Sequence, residues 1–206
     1  MRYYIADLHF FHSKLNDSMD CRGFSSGEEM NEYMIRRWNE RVTKKDEVVI
    51  LGDLSVGSAK ETTDILMRLN GKLYMIRGNH DHFLESRDFD ENRFVWVRDY
   101  AHMHDEGRLV VLSHYPMPAY SCQYRRNKKD EPITYMLYGH VHDTVEQHLL
   151  DEFILKMRST LKKNYPDGEE KPIPCQMINC FCKYADYTPL TLDEWIALTE
   201  KRLHDQ

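Results

Sequence analysis

Residues able to bind metal ions recur in five short clusters along the first 142 positions of the chain. They are Asp7 with His9, Asp53, Asn79 with His80 and Asp81, His114, and His140 with His142. Imidazole nitrogens suit zinc, iron and nickel, whereas carboxylate and amide oxygens suit manganese and magnesium. The mixed set indicates borderline divalent cations, and two cations accommodate it better than one. Such a pair can clamp a substrate oxygen and acidify water, which is hydrolytic chemistry.

The spacing within two of these clusters suggests how the side chains converge. One residue separates Asp7 from His9, and one separates His140 from His142. Because side-chain direction alternates along an extended chain, we expect the two members of each pair to point the same way. Glycine precedes three of the clusters and permits a sharp turn beside a crowded site; these glycines are Gly52, Gly78 and Gly139.

The elements that must position these residues are short apolar strands alternating with helices, a pattern typical of an α/β fold. The predicted strands are Arg2–Ala6, Glu47–Leu51, Lys72–Ile76, Tyr100–His104, Leu109–Ser113, Thr134–Tyr138 and Gln176–Asn179. Asp105-Glu106-Gly107 predicts a hairpin turn. Each metal-capable cluster ends or follows a strand, and ligand sites of α/β folds gather at the carboxyl edge of the sheet. One histidine or aspartate at a strand end is usually a surface or turn residue, so the prediction rests on the whole set.

Four helices are predicted, three of them with recognisable ends. Ser26 and Glu29 predict a capping box, as do Thr191 and Glu194 near the end of the chain. A second helix carries Ile65, Leu66 and Leu69 and closes at Asn70-Gly71. A long helix is predicted from Thr144 to Lys163, before Pro166-Asp167-Gly168 breaks the pattern. We therefore expect one domain over residues 1–206, with 143–174 as a peripheral insertion that caps the site, contacts another subunit or is simply solvated.

Composition excludes some classes of protein and leaves others open. A net charge of −6 gives no general attraction to nucleic acid or anionic membranes, so an anionic substrate would need a locally positive site. The chain has five cysteines and no apolar stretch at its N-terminus, from which we expect reduced thiols and a cytoplasmic location. Cys175, Cys180 and Cys182 are interpreted as buried thiols rather than a soft metal site.

The ordered clusters resemble the signature of the calcineurin-like metallophosphoesterases over residues 3 to 142. The matching segments are Asp7-x-His9, Gly52-Asp53, Gly78-Asn79-His80-Asp81, His114 and Gly139-His140-x-His142. Further segments are similar to small single-domain members from bacteria and phages, namely 9–12, 21–24, 69–72 and 187–194. The resemblance implies a four-layer α/β/β/α sandwich, here with a helical insertion after the last metal-binding motif.

The resemblance also implies roles for individual residues. Asp7, His9 and His142 would hold one metal ion, and Asn79, His114 and His140 a second, with Asp53 bridging both. The expected ions are two divalent metals, Mn²⁺ first, with iron, zinc, nickel or magnesium as alternatives. His80 would contact the phosphoryl group and protonate the leaving oxygen, without a covalent phosphoenzyme.

One position departs from the wider family. Protein serine/threonine phosphatases of this superfamily carry an acidic residue three places after the bridging aspartate, where it steadies the catalytic histidine. Here that position is Val56, which weakens a protein-phosphatase interpretation. His80 must be oriented otherwise, and the candidates are Asp81, which we group with it as catalytic, or a backbone carbonyl.

Three further residues are candidates for substrate contacts, each with an ordinary alternative. His12 is a phosphate donor or a surface histidine. Arg22 binds a phosphate with two hydrogen bonds or flanks a helix at the surface. Arg77 balances the acidic metal site or pairs with a surface carboxylate.

Two other groups of residues have weaker functional interpretations. After His114, a loop mixes aromatic and basic residues that could hold a nucleic-acid backbone, although a solvated loop fits the acidic net charge better; they are Tyr120, Tyr124, Arg125, Arg126, Lys128 and Lys129. His102 and His104 are expected to be exposed strand residues rather than a third metal site.

Three functions remain to be distinguished. The first is hydrolysis of a small, nucleotide-like phosphate mono- or diester. The second is a nuclease or cyclic-phosphate phosphodiesterase acting on RNA or DNA ends. The third is a metal-binding scaffold without catalysis, which an intact ligand set with His80 disfavours. The expected partner is a small phosphate ester, with nucleic acid less favoured and no membrane; the sequence leaves the oligomeric state open.

Overall fold

The computed structural model describes residues 1–163 and 168–205. Its strands are β1 Arg2–Ile5, β2 Glu47–Leu51, β3 Lys72–Ile76, β4 Phe94–Arg98, β5 Tyr100–Asp105, β6 Arg108–Ser113, β7 Thr134–Tyr138, β8 Leu161–Lys163, β9 Glu170–Pro172 and β10 Met177–Asn179. Its α-helices are α1 Gly27–Arg41, α2 Ala59–Arg68, α3 Val145–Ser159 and α4 Leu192–His204. All seven predicted strands are present, with ends that differ by at most one residue.

Two four-stranded sheets form the centre of the molecule. The first has the order β1-β2-β3-β4 and is parallel throughout. The second has the order β10-β7-β6-β5, with β5 antiparallel to β6 across the predicted hairpin turn. Because the parallel strands run the same way within each sheet, their carboxyl ends lie along one edge.

Alternating side chains divide the apolar core into layers. From β1, Tyr3 and Ile5 pack with residues of α1 and α2, including Met30, Trp38 and Leu66. The alternate side chains of the first sheet point the other way and pack against the second sheet. This inner core includes Tyr4, Ala6, Val49, Leu51, Val110, Leu112, Leu137 and Ile178. The outer face of the second sheet packs on Ile154 of α3 and Leu203 of α4. The architecture is thus the expected four-layer α/β/β/α sandwich.

Of the two predicted capping boxes, one is complete in the structure and one is only half formed. Thr191 and Glu194 form the predicted capping box of α4. At α1, Ser26 caps the helix as predicted, but the Glu29 carboxylate accepts from Ser25 N and Oγ instead of closing the box. Half of that prediction is therefore correct, because a neighbouring serine offers Glu29 two donors.

The long predicted helix Thr144–Lys163 is shorter in the structure. Helix α3 ends at Ser159, and Leu161–Lys163 forms strand β8, paired antiparallel with β9. Of the predicted break, Pro166 and Asp167 lie outside the described residues. The interpretation of 143–174 as a peripheral insertion stays a prediction: β8 is exposed, whereas Ile154 of α3 is fully buried in the core.

Among the described residues, no helix is both long enough and apolar enough to cross a membrane.

Candidate metal centre

The predicted metal ligands meet at the carboxyl edge of the two sheets. One ligand atom from each of Asp7, His9, Asp53 and His142 lies within 4.8 Å of the others; we name this set the first ligand group. The same holds for Asp53, His114 and His140. The amide oxygen of Asn79 lies 3.0 Å from His114 Nε2 and 2.9 Å from His140 Nδ1. These four residues form the second ligand group, so Asp53 belongs to both.

The backbone at this edge is unusual for residues with side chains. Five of the seven candidate ligands have positive φ angles: Asp7 at 57°, His9 at 51°, Asp53 at 52°, His140 at 74° and His142 at 48°. The left-handed region costs about 1–3 kcal/mol for such residues and is found most often at functional sites. Asp7 and His9 thus converge through left-handed loops, and our explanation by alternation along an extended strand was wrong.

Two glycines are required by the close approach of the loops. A Cβ atom on Gly78 would lie 2.2 Å from Asp53 Oδ1 and 2.3 Å from Asp53 N. A Cβ atom on Gly52, whose φ is +90°, would lie 2.3 Å from His114 Nδ1. Any side chain at either position would therefore displace a candidate ligand.

Asp81 holds the loops of this edge together. Its Oδ2 accepts from Asp53 N at 2.9 Å and Gly78 N at 2.7 Å, and its Oδ1 accepts from Leu54 N at 2.8 Å. Within the described residues, no hydrogen bond joins this buried carboxylate to the His80 ring. The prediction that Asp81 orients the His80 ring or is itself catalytic is therefore wrong. Both Asp81 oxygens accept from backbone N–H groups, so Asp81 positions the loops.

Two imidazoles are held in a fixed orientation by hydrogen bonds at Nδ1. His142 Nδ1 lies 2.6 Å from Asp20 Oδ1, and His114 Nδ1 lies 2.8 Å from the Leu51 carbonyl oxygen. Both partners accept, so each Nδ1 carries a proton and each Nε2 is the ring nitrogen that would bind a cation. His142 Nε2 in turn lies 3.1 Å from His9 Nε2, as expected of two ligands directed at a common ion.

Buried polar atoms without partners also fit a cation. Asp7 Oδ1 accepts from His140 N at 2.9 Å, but Asp7 Oδ2 has no hydrogen-bond partner among the described residues, and neither does His9 Nδ1. A buried acceptor left unsatisfied is unfavourable. A divalent cation beside Asp7 Oδ2 would remove that penalty, and the donor set is one that such cations prefer.

Burial and charge shift the pKa values of these groups strongly. Burial raises the pKa of Asp7 to about 6 and lowers the pKa of His9 to about 2. Burial also lowers the pKa of His114, but its hydrogen bond to Asp53 and the charge of Asp7 outweigh this and raise it to about 9. The neutral state favoured for His9 is the state in which imidazole binds a metal.

His80 and His12 lie on the open side of the site. His80 is exposed, and its backbone N–H donates to Asp53 Oδ1 at 2.8 Å. The His80 ring centroid is 5.3 Å from that of His9, and the His12 ring centroid is 5.6 Å from the same ring. Both rings therefore lie beside the first ligand group, and their roles towards a substrate stay predictions.

The two arginines proposed as substrate contacts are engaged elsewhere. The Arg22 side chain is fully buried, pairs with Asp20 at 2.8 Å and donates to the Asp7 carbonyl oxygen at 2.9 Å. Arg77 lies 3.6 Å from the exposed Asp99 carboxylate. Because the Arg22 guanidinium is fully buried and hydrogen-bonded, the substrate-binding interpretation is wrong for Arg22, and Arg77 follows its surface-pair alternative.

Two residues of the site were missed. Asp20 contacts the ring of His142 although 122 positions separate them. In the sequence, only its position next to the Cys21-Arg22-Gly23-Phe24 segment could have indicated it. Tyr115 is 48% exposed, and its ring centroid lies 4.6 Å from that of His140. Its only signal is adjacency to His114.

The remaining residues singled out in the sequence mostly make contacts that stabilise the fold. Tyr120 is buried and its hydroxyl accepts from Gln176 N, while Arg126 donates to the carbonyl oxygens of Asp130 and Pro172. His102 and His104 are exposed on β5 as predicted. The three late cysteines are buried free thiols, also as predicted; they are Cys175, Cys180 and Cys182.

Comparison with known proteins identifies relatives along most of the chain. A sequence model of the calcineurin-like phosphoesterase superfamily domain matches residues 3–153. An uncharacterised protein of Methanocaldococcus jannaschii is 32% identical over 201 residues, which cover 97% of this chain and 91% of that protein. The gene 66 protein of Mycobacterium phage L5 is 35% identical over 68% of this chain and 76% of its own length.

Among solved structures, a protein of unknown function from Aquifex aeolicus is similar in fold. The two structures superpose with a TM-score of 0.60 at 20% identity, covering 94% of this chain and 96% of that one.

Proposed function

The chain belongs to the calcineurin-like phosphoesterase superfamily, and from that premise we propose that it hydrolyses phosphate mono- or diesters with two divalent metal ions. The observation that carries this proposal is the position of Asp53, whose carboxylate is shared by both ligand groups. Its Oδ2 lies 3.4 Å from His9 Nε2 and 3.5 Å from His114 Nε2. A carboxylate between two sets of ligands is suited to bridging two ions.

In this proposal each ion has its own ligands besides Asp53. Asp7, His9 and His142 would hold the first, and Asn79, His114 and His140 the second; the mixed oxygen and nitrogen set suits a borderline divalent ion, and we propose Mn²⁺ first. When bound, the ions would neutralise phosphate charge and acidify water towards neutral pH. An acidic protein with net charge −6 thereby gains a locally positive site.

In this proposal the residues of the chain supply proton transfer, and the one thiol that contacts a ligand residue is unsuited to a covalent route. His80, exposed at the open side, would give a proton to the departing oxygen. The thiol of Cys182 donates to the Asp7 carbonyl oxygen at 3.1 Å, and burial raises its pKa to about 12. Such a thiol is a poor nucleophile, so we propose water as the nucleophile and expect no covalent phosphoenzyme.

Hydrolysis of p-nitrophenyl phosphate and of its bis ester tests the proposed reaction. We expect one or both esters to be hydrolysed in the presence of Mn²⁺, and activity to disappear with EDTA and return with added Mn²⁺. The ratio of the two rates separates a monoesterase from a diesterase. A protein that binds Mn²⁺ but hydrolyses neither ester nor RNA or DNA ends would be the metal-binding scaffold instead.

Tyr115 supports a nucleotide-like substrate, because an exposed ring beside the site can stack a base or aryl group. Base–aromatic stacking contributes about 1–3 kcal/mol, and about 1.4 kcal/mol is tenfold in affinity. We therefore expect Tyr115→Ala to raise KM for aryl and nucleoside phosphates by about 5–150-fold, and to leave KM for glycerol phosphate nearly unchanged.

Tyr124→Ala is the matched control for this measurement, since Tyr124 is also 48% exposed but lies over Lys162. It should change none of the KM values. Equal losses on ring-bearing and ring-free esters in Tyr115→Ala would show that Tyr115 supports His140 rather than the substrate.

The nuclease alternative has little support from the basic loop, because the Arg126 guanidinium is held by backbone carbonyl oxygens. A small phosphate ester thus remains the proposed partner. We also propose a cytoplasmic location, in keeping with five free thiols.

A further inference from the structure

A buried ion pair lies directly behind the first ligand group. Arg22 Nε donates to Asp20 Oδ2 at 2.9 Å, and Arg22 Nη2 lies 2.8 Å from the same oxygen. The two side chains are 0% and 1% exposed. A buried pair of this kind is not by itself a source of stability, because desolvation offsets the attraction between the charges. Its contacts with the ligands offer another reason for its presence.

Each partner of the pair holds a different metal ligand. Asp20 Oδ1 accepts from His142 Nδ1 at 2.6 Å, which fixes the ring with Nε2 towards the site. Arg22 donates to the carbonyl oxygens of Asp7 at 2.9 Å and Leu8 at 2.6 Å. These hydrogen bonds hold a segment whose backbone is left-handed at Asp7. The pair therefore connects two ligands of one group that are 135 positions apart in the chain.

Among the described residues, no carboxylate is hydrogen-bonded to a histidine ring of the second ligand group from behind. His114 Nδ1 lies 2.8 Å from the neutral Leu51 carbonyl oxygen, whereas Asp7 Oδ1 is 4.0 Å away. Asn79 and His140 are exposed, and the His140 Nδ1 atom faces Asn79 Oδ1. A carboxylate behind a histidine ligand raises its basicity and fixes its orientation more strongly than a carbonyl does. The two groups therefore differ in rigidity and in the charge behind them.

We propose that Asp20 and Arg22 are positioning residues that make the first ligand group the tighter of two metal sites, so that it fills before the second. This inference rests on the proposed function, in that it takes both groups to bind metal. It assigns the Asp20–Arg22 pair to the first site alone: removal of Asp20 weakens that site and leaves the second as it was.

Manganese titration of the EDTA-treated full chain tests the assignment. By calorimetry we expect two classes of Mn²⁺ site in the wild type. In Asp20→Asn the tighter class should weaken by about 10–100-fold, the usual effect of losing a partner behind a ligand, with the weaker class unchanged. Asp99→Asn is the control, because Asp99 is 87% exposed and, within the described part of the chain, pairs with a surface arginine; both of its classes of site should match the wild type.

A second measurement needs no variant and so does not depend on whether Asp20→Asn folds. In a histidine-ring NMR titration with Zn²⁺, the first equivalent should shift the ring signals of His9 and His142, and the second those of His114 and His140.

Asp20→Glu keeps the charge of the pair. Its tighter class of site should bind Mn²⁺ with an affinity between those of Asp20→Asn and the wild type.

The outcomes separate this inference from the proposed function. Equal weakening of both classes, an unchanged titration in Asp20→Asn, or initial filling of the second group in the wild type would overturn the inference alone. A wild type that binds no Mn²⁺ and hydrolyses no phosphate ester would overturn both.

Discussion

Replacing Asp53 with asparagine is expected to lower phosphoester hydrolysis by at least about a thousandfold. The Asp53 carboxylate is the ligand common to both groups, and its Oδ1 also accepts from His80 N at 2.8 Å. Metal ions stabilise the transition state by several kcal/mol, and about 1.4 kcal/mol is tenfold in rate. Asparagine has nearly the same shape, so the expected loss reflects removal of the shared negative charge.

Elemental analysis beside the rate measurement distinguishes this effect from general damage. We expect two ions per wild-type chain and fewer than one in Asp53→Asn. His140→Ala is the informative comparison, because His140 belongs only to the second ligand group and its loss should remove one ion. If Asp53→Asn kept two ions and at least a tenth of wild-type activity, the shared-ligand assignment would be wrong.

Replacing His80 with alanine is expected to reduce turnover by about 10²–10⁴-fold, the usual contribution of a general acid, while metal content stays at the wild-type value. The reason is its location: the side chain is exposed beside His9 and belongs to neither ligand group. The loss should be larger for an alkyl phosphate than for p-nitrophenyl phosphate, because p-nitrophenolate leaves without help from a proton.

His82→Ala is the matched control for His80→Ala. His82 is also exposed and lies two residues further along the same short segment. It should retain full activity. Equal losses in the two variants, equal losses on alkyl and aryl esters, or release of metal from His80→Ala would each contradict a leaving-group role.

The sequence alone determined the layered fold and the identity of the candidate ligands. Short runs of apolar residues predicted strands such as Glu47–Leu51, because a strand between two layers buries the side chains on both of its faces. The metal-capable residues were recognisable because each cluster follows a strand, and parallel strands bring their carboxyl ends to one edge. These inferences need only local patterns and one rule of topology.

Edge pairing and helix length were decided by the tertiary structure. Strand β4 was not predicted, although residues 94–97 are a run of β-branched and aromatic residues that favours a strand. It forms by pairing with β3 at the sheet edge. Likewise, Leu161–Lys163 continued a helical pattern in the sequence but pairs with β9 in the structure. In Leu161–Lys163, hydrogen bonds to a distant strand outweigh the local helical preference.

The surroundings of the site also depended on contacts that no local pattern contains. Arg22 resembles a surface arginine in the sequence, yet it is buried because Asp20 and two backbone carbonyl oxygens together satisfy its donors. Asp20 gains its role from a histidine 122 positions away. The sequence thus determined which side chains can bind a metal, through residue type and strand position. Only the fold decided which groups hold them in place, since hydrogen bonds between distant loops form when the chain has packed.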